Sequence, residues 1–231
     1  MTHKHAAPAA EELTPTPGLD GGRLVVGPPG DRMGRARGLV ILLHGAGSGT
    51  QTPILAALAA RLSADGVSVA RLEMPYRVGG KRFPDRPAKL DGVLRAAVEL
   101  VPSLTPTPRP LALAGASMGS RVACRCARDV GAVGVLALGF PLQPPRERPS
   151  RAAELAGAGV PVQVVQGERD AFGRPPADDE AGVAVHVVAG ADHSFHVRKL
   201  DGRPPADVLA EAAGVGAAWL VGRLEAAKKI S

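Results

Sequence analysis

The chain has 231 residues, of which 45% are hydrophobic and 22% charged, and its formal net charge is +6. This length suits one well-cored domain and is short for two. The basic residues are scattered and no apolar run approaches a membrane span, so the sequence argues against nucleic-acid and membrane partners. Only 3% of the residues are aromatic, so the core must consist mainly of Val, Leu and Ala, as in a parallel sheet covered by helices.

The N-terminal segment differs in composition from the rest of the chain. Residues 1–20 are polar and rich in Pro and Ala, and we predict that they form a disordered tail. A single domain is expected over residues 21–231.

Within this domain, short β-rich runs alternate with helical patterns. The chain order of the predicted elements is strand 23–27, strand 38–43, helix 53–64, strand 67–72, helix 88–100, strand 111–114, a helix to about 129, strand 133–138, helix 152–156, strands 160–166 and 183–188, and helix 206–227. The alternation predicts right-handed βαβ crossovers and a mostly parallel sheet in a three-layer α/β/α sandwich. In such sheets, functional residues lie at the edge formed by the carboxyl ends of the strands. A candidate functional residue should therefore follow a predicted strand.

The segment Gly115-Ala116-Ser117-Met118-Gly119 matches the pattern G-x-S-x-G. In this pattern the serine occupies a very sharp turn from strand to helix, and the flanking glycines avoid collisions with neighbouring backbone. The turn exposes the hydroxyl at a helix N-terminus, where backbone N–H groups favour a developing negative charge. An apolar strand precedes the segment and a helical pattern follows it, as this chemistry requires.

A nucleophilic serine needs a base, and the base needs an orienting acid. Proteins with this turn place them in the chain order Ser, acid, His. Asp170 follows the predicted strand 160–166, and His193 follows the strand 183–188. We therefore predict Ser117 as the nucleophile, His193 as the base and Asp170 as the acid.

Four neighbouring residues are weaker alternatives for the acid and the base. Glu168 would replace the predicted acid if the turn after its strand were tighter. Asp192 directly precedes the predicted base and cannot easily reach its far nitrogen. His186 lies among valines and is interpreted as a core residue, and His196 as a surface residue.

The segment HGAGSG, residues 44–49, follows a predicted buried strand. Its small residues allow backbone N–H groups to approach a substrate oxygen and to form an oxyanion hole with the N–H of Met118. Ala46 is the first choice for the second donor and Gly47 the next, while His44 is interpreted as structural. A phosphate cradle is the alternative, but the segment has neither G-x-G-x-x-G nor Gly-Lys-Ser/Thr.

The loop over residues 139–150 is too short to hold a cap domain, so we predict an open, shallow pocket. Phe140, Tyr76 and Leu142 are its candidate apolar substrate contacts, unless they take part in ordinary loop packing. Seven basic residues in loops would favour an anionic substrate if they rim this pocket: Arg77, Lys81, Arg82, Arg86, Arg146, Arg148 and Arg169. Arg121 either reaches the rim or, as we prefer, pairs with an acid such as Glu168.

Five motifs in one order, HGAGSG, GASMGSR, GFPLQPP, QGERDAFG and GADHSF, resemble the α/β-hydrolases related to dienelactone hydrolase over residues 38–200. They match most closely the subgroup of the testis-expressed protein and the NSL-complex subunit with a hydrolase-like domain. The resemblance implies the α/β-hydrolase fold and places the triad on Ser117, Asp170 and His193. Ser120 departs from the Gly that is frequent in relatives, without affecting the nucleophile.

These residues predict a serine hydrolase that cleaves an ester or thioester of a small acyl substrate through an acyl-enzyme. The chemistry requires neither a metal nor an organic cofactor. Cys124 and Cys126 lie two positions apart in a predicted helix and cannot bridge each other, so we expect a reducing, cytoplasmic compartment. The alternatives are a non-catalytic scaffold, since the family that the chain resembles includes parts of protein assemblies, and a small-molecule binding module.

Overall fold

The computed structural model describes residues 14–27, 36–106, 109–145 and 148–229. Its strands are β1 (Arg23–Val26), β2 (Leu39–Leu43), β3 (Ser68–Glu73), β4 (Leu111–Ala116), β5 (Val135–Leu138), β6 (Val162–Gly167) and β7 (Val183–Val188). Its α-helices are α1 (Pro53–Ala64), α2 (Pro75–Val78), α3 (Pro87–Leu104), α4 (Met118–Cys126), α5 (Ala152–Ala156) and α6 (Pro205–Lys228).

The strands form a single sheet in the order β1-β3-β2-β4-β5-β6-β7. Only β1 runs antiparallel to its neighbour, and every other pair is parallel. Strand β2 is LVILL and all five of its residues are buried, because helices cover both faces of a parallel sheet. The predicted mostly parallel sheet is therefore confirmed.

Two apolar cores lie on opposite faces of the sheet. One contains buried residues of α3 and α4, such as Leu94 and Val122. The other contains buried residues of α1 and α6, such as Leu58 and Leu220. This is a three-layer α/β/α sandwich, as predicted.

The connection after β5 carries no inserted domain. Between Leu138 and Ala152, where α5 begins, the described residues form neither a helix nor a strand. The predicted absence of a cap domain is confirmed for that part of the chain.

The N-terminal boundary differs from the prediction. Residues 1–13 of the predicted tail lie outside the described ranges, but residues 14–20 pack against the domain. Leu19 is fully buried in the α3/α4 core, and Thr16 Oγ1 accepts a 2.9 Å hydrogen bond from the backbone N–H of Leu24. The domain thus begins before residue 21, because one apolar side chain in a polar segment finds a place in the core.

Both cysteines are free and buried in α4, as their spacing predicts. Burial raises the pKa of Cys124 to about 12, and burial together with the nearby Asp91 carboxylate raises the pKa of Cys126 to about 11. Neither thiol is therefore a ready nucleophile. Among the helices of the described ranges, none has the length and hydropathy needed to cross a bilayer.

Replacing Leu220 with Ala should lower the free energy of unfolding by about 2–5 kcal/mol, because it leaves a cavity in the α1/α6 core. Leu220 is fully buried, whereas Leu200 is 96% exposed. Leu200→Ala is thus the matched control and should change stability little. Denaturant unfolding monitored by circular dichroism measures both, and equal effects would contradict the assignment of this core.

Candidate active site

A strained backbone turn presents Ser117 at the carboxyl edge of the sheet. The residue lies between the end of β4 and the start of α4 with φ +50° and ψ −111°, a region that non-glycine residues rarely adopt. Its N–H donates to Leu138 O at 2.9 Å, and its carbonyl accepts a 2.6 Å hydrogen bond from Ser120 Oγ. Neighbouring strand and helix thus hold the turn from both sides.

The two glycines of the G-x-S-x-G pattern are required by close backbone approaches. A Cβ on Gly115 would lie 2.3 Å from the carbonyl carbon of Gly119. A Cβ on Gly119 would lie 2.5 Å from Leu43 O in β2. Any side chain at either position would force α4 away from the sheet and open the turn.

The structure brings the three predicted triad residues together. His193 Nε2 lies 2.9 Å from Ser117 Oγ, and His193 Nδ1 lies 2.7 Å from Asp170 Oδ2. Because an ionised carboxylate only accepts, Nδ1 carries the proton and the lone pair of Nε2 faces the serine hydroxyl. This arrangement allows His193 to accept a proton from Ser117.

Asp170 is held by partners on both of its oxygens, and its side chain is fully buried. Its Oδ2 also accepts a 2.6 Å hydrogen bond from Gln166 Nε2, and its Oδ1 accepts a 2.8 Å hydrogen bond from the N–H of Phe172. Gln166 in turn binds both backbone groups of Phe140. It therefore ties the acid to the loop after β5.

Gln166 and Phe172 are site residues that the sequence reasoning missed. Gln166 had a signal, since it is a polar residue near the carboxyl end of a buried strand, the edge at which functional residues collect. Phe172 had none, because its contact depends on how two loops meet. Its ring packs against the His193 imidazole with centroids 4.6 Å apart.

The residues weighed as alternatives have other partners. Glu168 accepts a 2.8 Å hydrogen bond from the N–H of Gly190. Asp192 accepts from backbone N–H groups of the turn that follows it. His186 pairs with Glu211 at 2.9 Å. None of them takes part in the contact with the serine.

Buried side chains brace the loop after β2, which carries the predicted oxyanion donors. His44 Nδ1 lies 2.8 Å from Gly45 O, and its Nε2 is 3.0 Å from the N–H of Met74. Since the carbonyl only accepts and the N–H only donates, His44 is neutral with its proton on Nδ1. Burial lowers its pKa, in agreement with this state. His44 is thus structural, as predicted.

The same contacts orient the N–H of Ala46. In a trans peptide the N–H points opposite to the preceding carbonyl, and the Gly45 carbonyl is held by His44. Tyr76 adds a second restraint, because its hydroxyl donates to Ala46 O at 2.9 Å. Ala46 lines the cavity beside Ser117 and Met118, whereas Gly47 lines a neighbouring cavity. This placement favours Ala46 over Gly47 as a donor.

A cavity of about 340 Å³ opens beside Ser117. Small and apolar side chains form most of its wall: Ala46, Pro84, Pro87, Leu90, Met118, Pro141, Pro145 and Phe172. Four charged residues complete the lining: Asp85, Arg121, Arg125 and Arg151.

The three predicted apolar contacts lie behind this wall rather than in it. Tyr76, Phe140 and Leu142 are 1%, 0% and 8% exposed, and none of them lines the cavity. The Tyr76 hydroxyl is used by the loop after β2, and the Phe140 backbone is held by Gln166. The prediction was wrong because the order of residues along a loop does not determine which side chains turn inward.

Ion pairs occupy two of the three arginines that line the cavity. Arg121 makes a two-pronged contact with Glu154, with both distances 2.7 Å, so it pairs with an acid, but not with the expected Glu168. Arg125 binds Asp91 at 2.6 Å. Arg151 donates to a backbone carbonyl, and within the described ranges no carboxylate lies within 4.0 Å of it.

The predicted basic rim is only partly at the site. Arg77, Lys81 and Arg82 line the cavity next to Gly47. Arg169 is structural, because it donates to Gly190 O at 2.6 Å. Neither Arg86 nor Arg148 lines the Ser117 cavity, and residue 146 lies outside the described ranges. Among the residues described, no three His, Cys, Asp or Glu side chains are grouped to hold a metal ion.

Comparison with known proteins agrees with this architecture. A family model described as an alpha/beta hydrolase domain matches residues 36–221. Among curated proteins, no significant match was found.

Several solved structures share the fold at low sequence identity. Est1E from Butyrivibrio proteoclasticus is 14% identical, with a TM-score of 0.67 over 88% of this chain and 94% of its own. Dienelactone hydrolase from Anabaena variabilis is 19% identical, with a TM-score of 0.63 over 87% and 90%. A serine hydrolase without a lid from Xanthomonas campestris is 20% identical, with a TM-score of 0.60 over 83% and 87%.

Gly119→Ala should strongly destabilise the protein, because its Cβ would meet the backbone of β2 at 2.5 Å. The loss should be about 1–3 kcal/mol or more, as for other overpacked sites. Gly214→Ala in α6 is the matched control, since nothing lies within 4 Å of its Cβ, and it should be neutral or stabilising. Thermal denaturation compares the two, and a tolerated Gly119→Ala would contradict the close approach.

Proposed function

We propose that this chain, which belongs to the alpha/beta hydrolase domain family over residues 36–221, is a serine hydrolase that cleaves an ester or thioester of a small acyl substrate. One observation carries the proposal. Asp170, His193 and Ser117 form a hydrogen-bonded chain with distances of 2.7 and 2.9 Å, and a cavity opens beside the serine.

The geometry supports an acyl-enzyme mechanism. Ser117 Oγ attacks the substrate carbonyl carbon while His193 Nε2 takes the hydroxyl proton. Asp170 remains ionised and stabilises the imidazolium. His193 then returns the proton to the leaving alcohol or thiol as its bond to the acyl carbon breaks. Water, activated by the same nitrogen, attacks the acyl-enzyme, and the acid is released with Ser117 restored.

The oxyanion of each tetrahedral intermediate would be bound by two backbone N–H groups. The N–H of Met118 belongs to the first residue of α4, so the helix has no internal acceptor for it. The N–H of Ala46 is oriented through the carbonyl held by His44. Donors fixed before the reaction cost no reorganisation when the charge develops.

The cavity favours a small acyl group with an anionic end. Its wall is mostly apolar, which suits an acyl chain. Arg151 is the lining arginine that has no carboxylate within 4.0 Å in the described part of the chain, although the charge of the more distant Glu154 favours its protonated form. Burial, together with the nearby Arg121, lowers its pKa, and a bound carboxylate or phosphate would relieve this unfavourable environment.

The narrower family and the cellular location are parts of this proposal. The five motifs resemble the subgroup of the testis-expressed protein and the NSL-complex subunit, and we propose on this basis that the chain belongs to that subgroup. Two free, buried cysteines support a cytoplasmic location. Dienelactone hydrolase among the similar structures favours esters and lactones over peptides as substrates.

A fluorophosphonate probe should label the wild-type protein once, at Ser117, because only an activated serine attacks it. Ser117→Ala should abolish both labelling and ester hydrolysis, with a loss of about 10³-fold or more. Ser103→Ala, on the exposed side of α3, is the control and should keep both. Intact mass measures the adduct, and a folded wild type that stays unlabelled would favour a non-catalytic scaffold.

Arg151→Gln should lower kcat/KM for p-nitrophenyl hemisuccinate by about tenfold or more, because a charge-assisted contact is lost. The neutral, similarly sized p-nitrophenyl butyrate should be nearly unaffected. The wild type's preference for the charged ester should weaken as salt is added.

Arg61→Gln, remote on α1, controls for the change in net charge. Equal losses of kcat/KM on both esters would mean that Arg151 holds the loop in place and does not contact the substrate. Equal turnover of both esters by the wild type would remove the anionic-substrate proposal and leave the hydrolase proposal intact.

A further inference from the structure

A second cavity, of about 490 Å³, lies at the same edge of the sheet but contains none of the triad residues. It is formed by the start of β1, the end of β3 and the segment that leads into α1. Its polar and charged lining consists of Arg23, Thr50, Gln51, Thr52, Arg71, Glu73 and Arg77. Side chains at alternate positions of a strand project from the same face, so Arg71 and Glu73 lie on the same face of β3 as Val69. Val69 belongs to the α1/α6 core. The cavity is therefore on the α1 face of the sheet.

Unsatisfied polar atoms concentrate in this cavity. Among the described residues, five buried side-chain atoms lack a hydrogen-bond partner. Three of them, Thr52 Oγ1, Arg71 Nε and Glu73 Oε2, belong to residues that line it. Burying a polar atom without a hydrogen-bond partner lowers the stability of the folded state, and native proteins contain few such atoms. Their grouping around one space points to a ligand that supplies the missing partners.

Glu73 offers a free acceptor although it is only 7% exposed. Its Oε1 accepts hydrogen bonds from both the N–H and the hydroxyl of Thr50, each at 2.6 Å. Its Oε2 lies 3.5 Å from His44 Nε2, but that nitrogen already accepts the N–H of Met74. His44 therefore has no proton to give, and Oε2 needs a donor from elsewhere.

The cavity also holds uncompensated positive charge. Arg71 and Glu73 are two residues apart on β3 and project from the same face. Even so, neither Arg71 nor Arg77 has a carboxylate within 4.0 Å in the described part of the chain. Besides Arg23, the free carboxylate oxygen of Glu73 and the guanidinium groups of Arg71 and Arg77 thus line one space. A molecule that carries both a donor and an anion would bridge them.

We propose that this cavity binds a small zwitterion of the α-amino acid type. Its ammonium group would donate to Glu73 Oε2, and its carboxylate would accept from Arg71, Arg77 and the Thr52 hydroxyl. Charge-assisted hydrogen bonds of this kind are the strong ones, and the volume is within the usual range for small-ligand sites. Binding does not depend on the hydrolase activity proposed above.

Isothermal titration of the Ser117→Ala protein with each standard α-amino acid tests the proposal without turnover. For the best binder, the N-acetyl derivative removes the ammonium donor and the carboxamide removes the anion. Saturable binding should occur for the amino acid and weaken by about tenfold or more for each derivative. These comparisons use one protein, so they stand even if a pocket variant fails to fold.

Substitutions of the lining residues then test whether binding takes place in this cavity. Glu73→Gln and Arg71→Gln should each weaken binding by about tenfold, and Arg77→Gln, which is more exposed, should weaken it less. Arg82→Gln, an exposed arginine outside this cavity, is the matched control and should bind normally. Absence of binding by every amino acid, equal binding of either derivative, or undiminished binding by Glu73→Gln would overturn the proposal and leave a solvent-filled cavity.

Discussion

The close approach of α4 to the sheet is the constraint on which the site depends. Ser117 can adopt its positive φ only because the backbones of β4, β2 and α4 meet around it without intervening side chains. The strain at this residue is of the order of 1–3 kcal/mol and is offset by the two large apolar cores on either side of the sheet. Packing of ordinary Leu and Val residues therefore maintains an unfavourable conformation at the one position where an exposed hydroxyl is useful.

Around this turn, the site is held by buried polar groups that do not touch a substrate. Gln166 fixes the acid, and His44 and Tyr76 fix the loop that carries Ala46. Each of these side chains has defined hydrogen-bond partners, which is why polar residues can remain in the interior without a large penalty. The proposed donors and the proposed base are thereby oriented before any substrate arrives.

Electrostatics divides the charged residues near the site into two groups. Arg121 and Arg125 are neutralised by acids and act as links between helices. Arg151, Arg71 and Arg77 have no carboxylate within 4.0 Å in the described part of the chain, and on them we base the proposals about ligands. Formal net charge alone gave no indication of this division, since all these residues contribute equally to it.

The sequence by itself determined the mostly parallel sheet, the longer helices that cover it, the G-x-S-x-G turn and the three residues that meet there. These follow from local rules: hydrophobic periodicity, the small residues that a sharp turn requires, and the position of Asp170 and His193 after strands. Tertiary structure alone decided that Phe172 and Pro141 form the wall in place of Phe140 and Leu142, that Arg121 pairs with Glu154, and that Leu19 enters the core. These outcomes depend on how loops and helices distant in the chain pack together, and no local pattern encodes that packing.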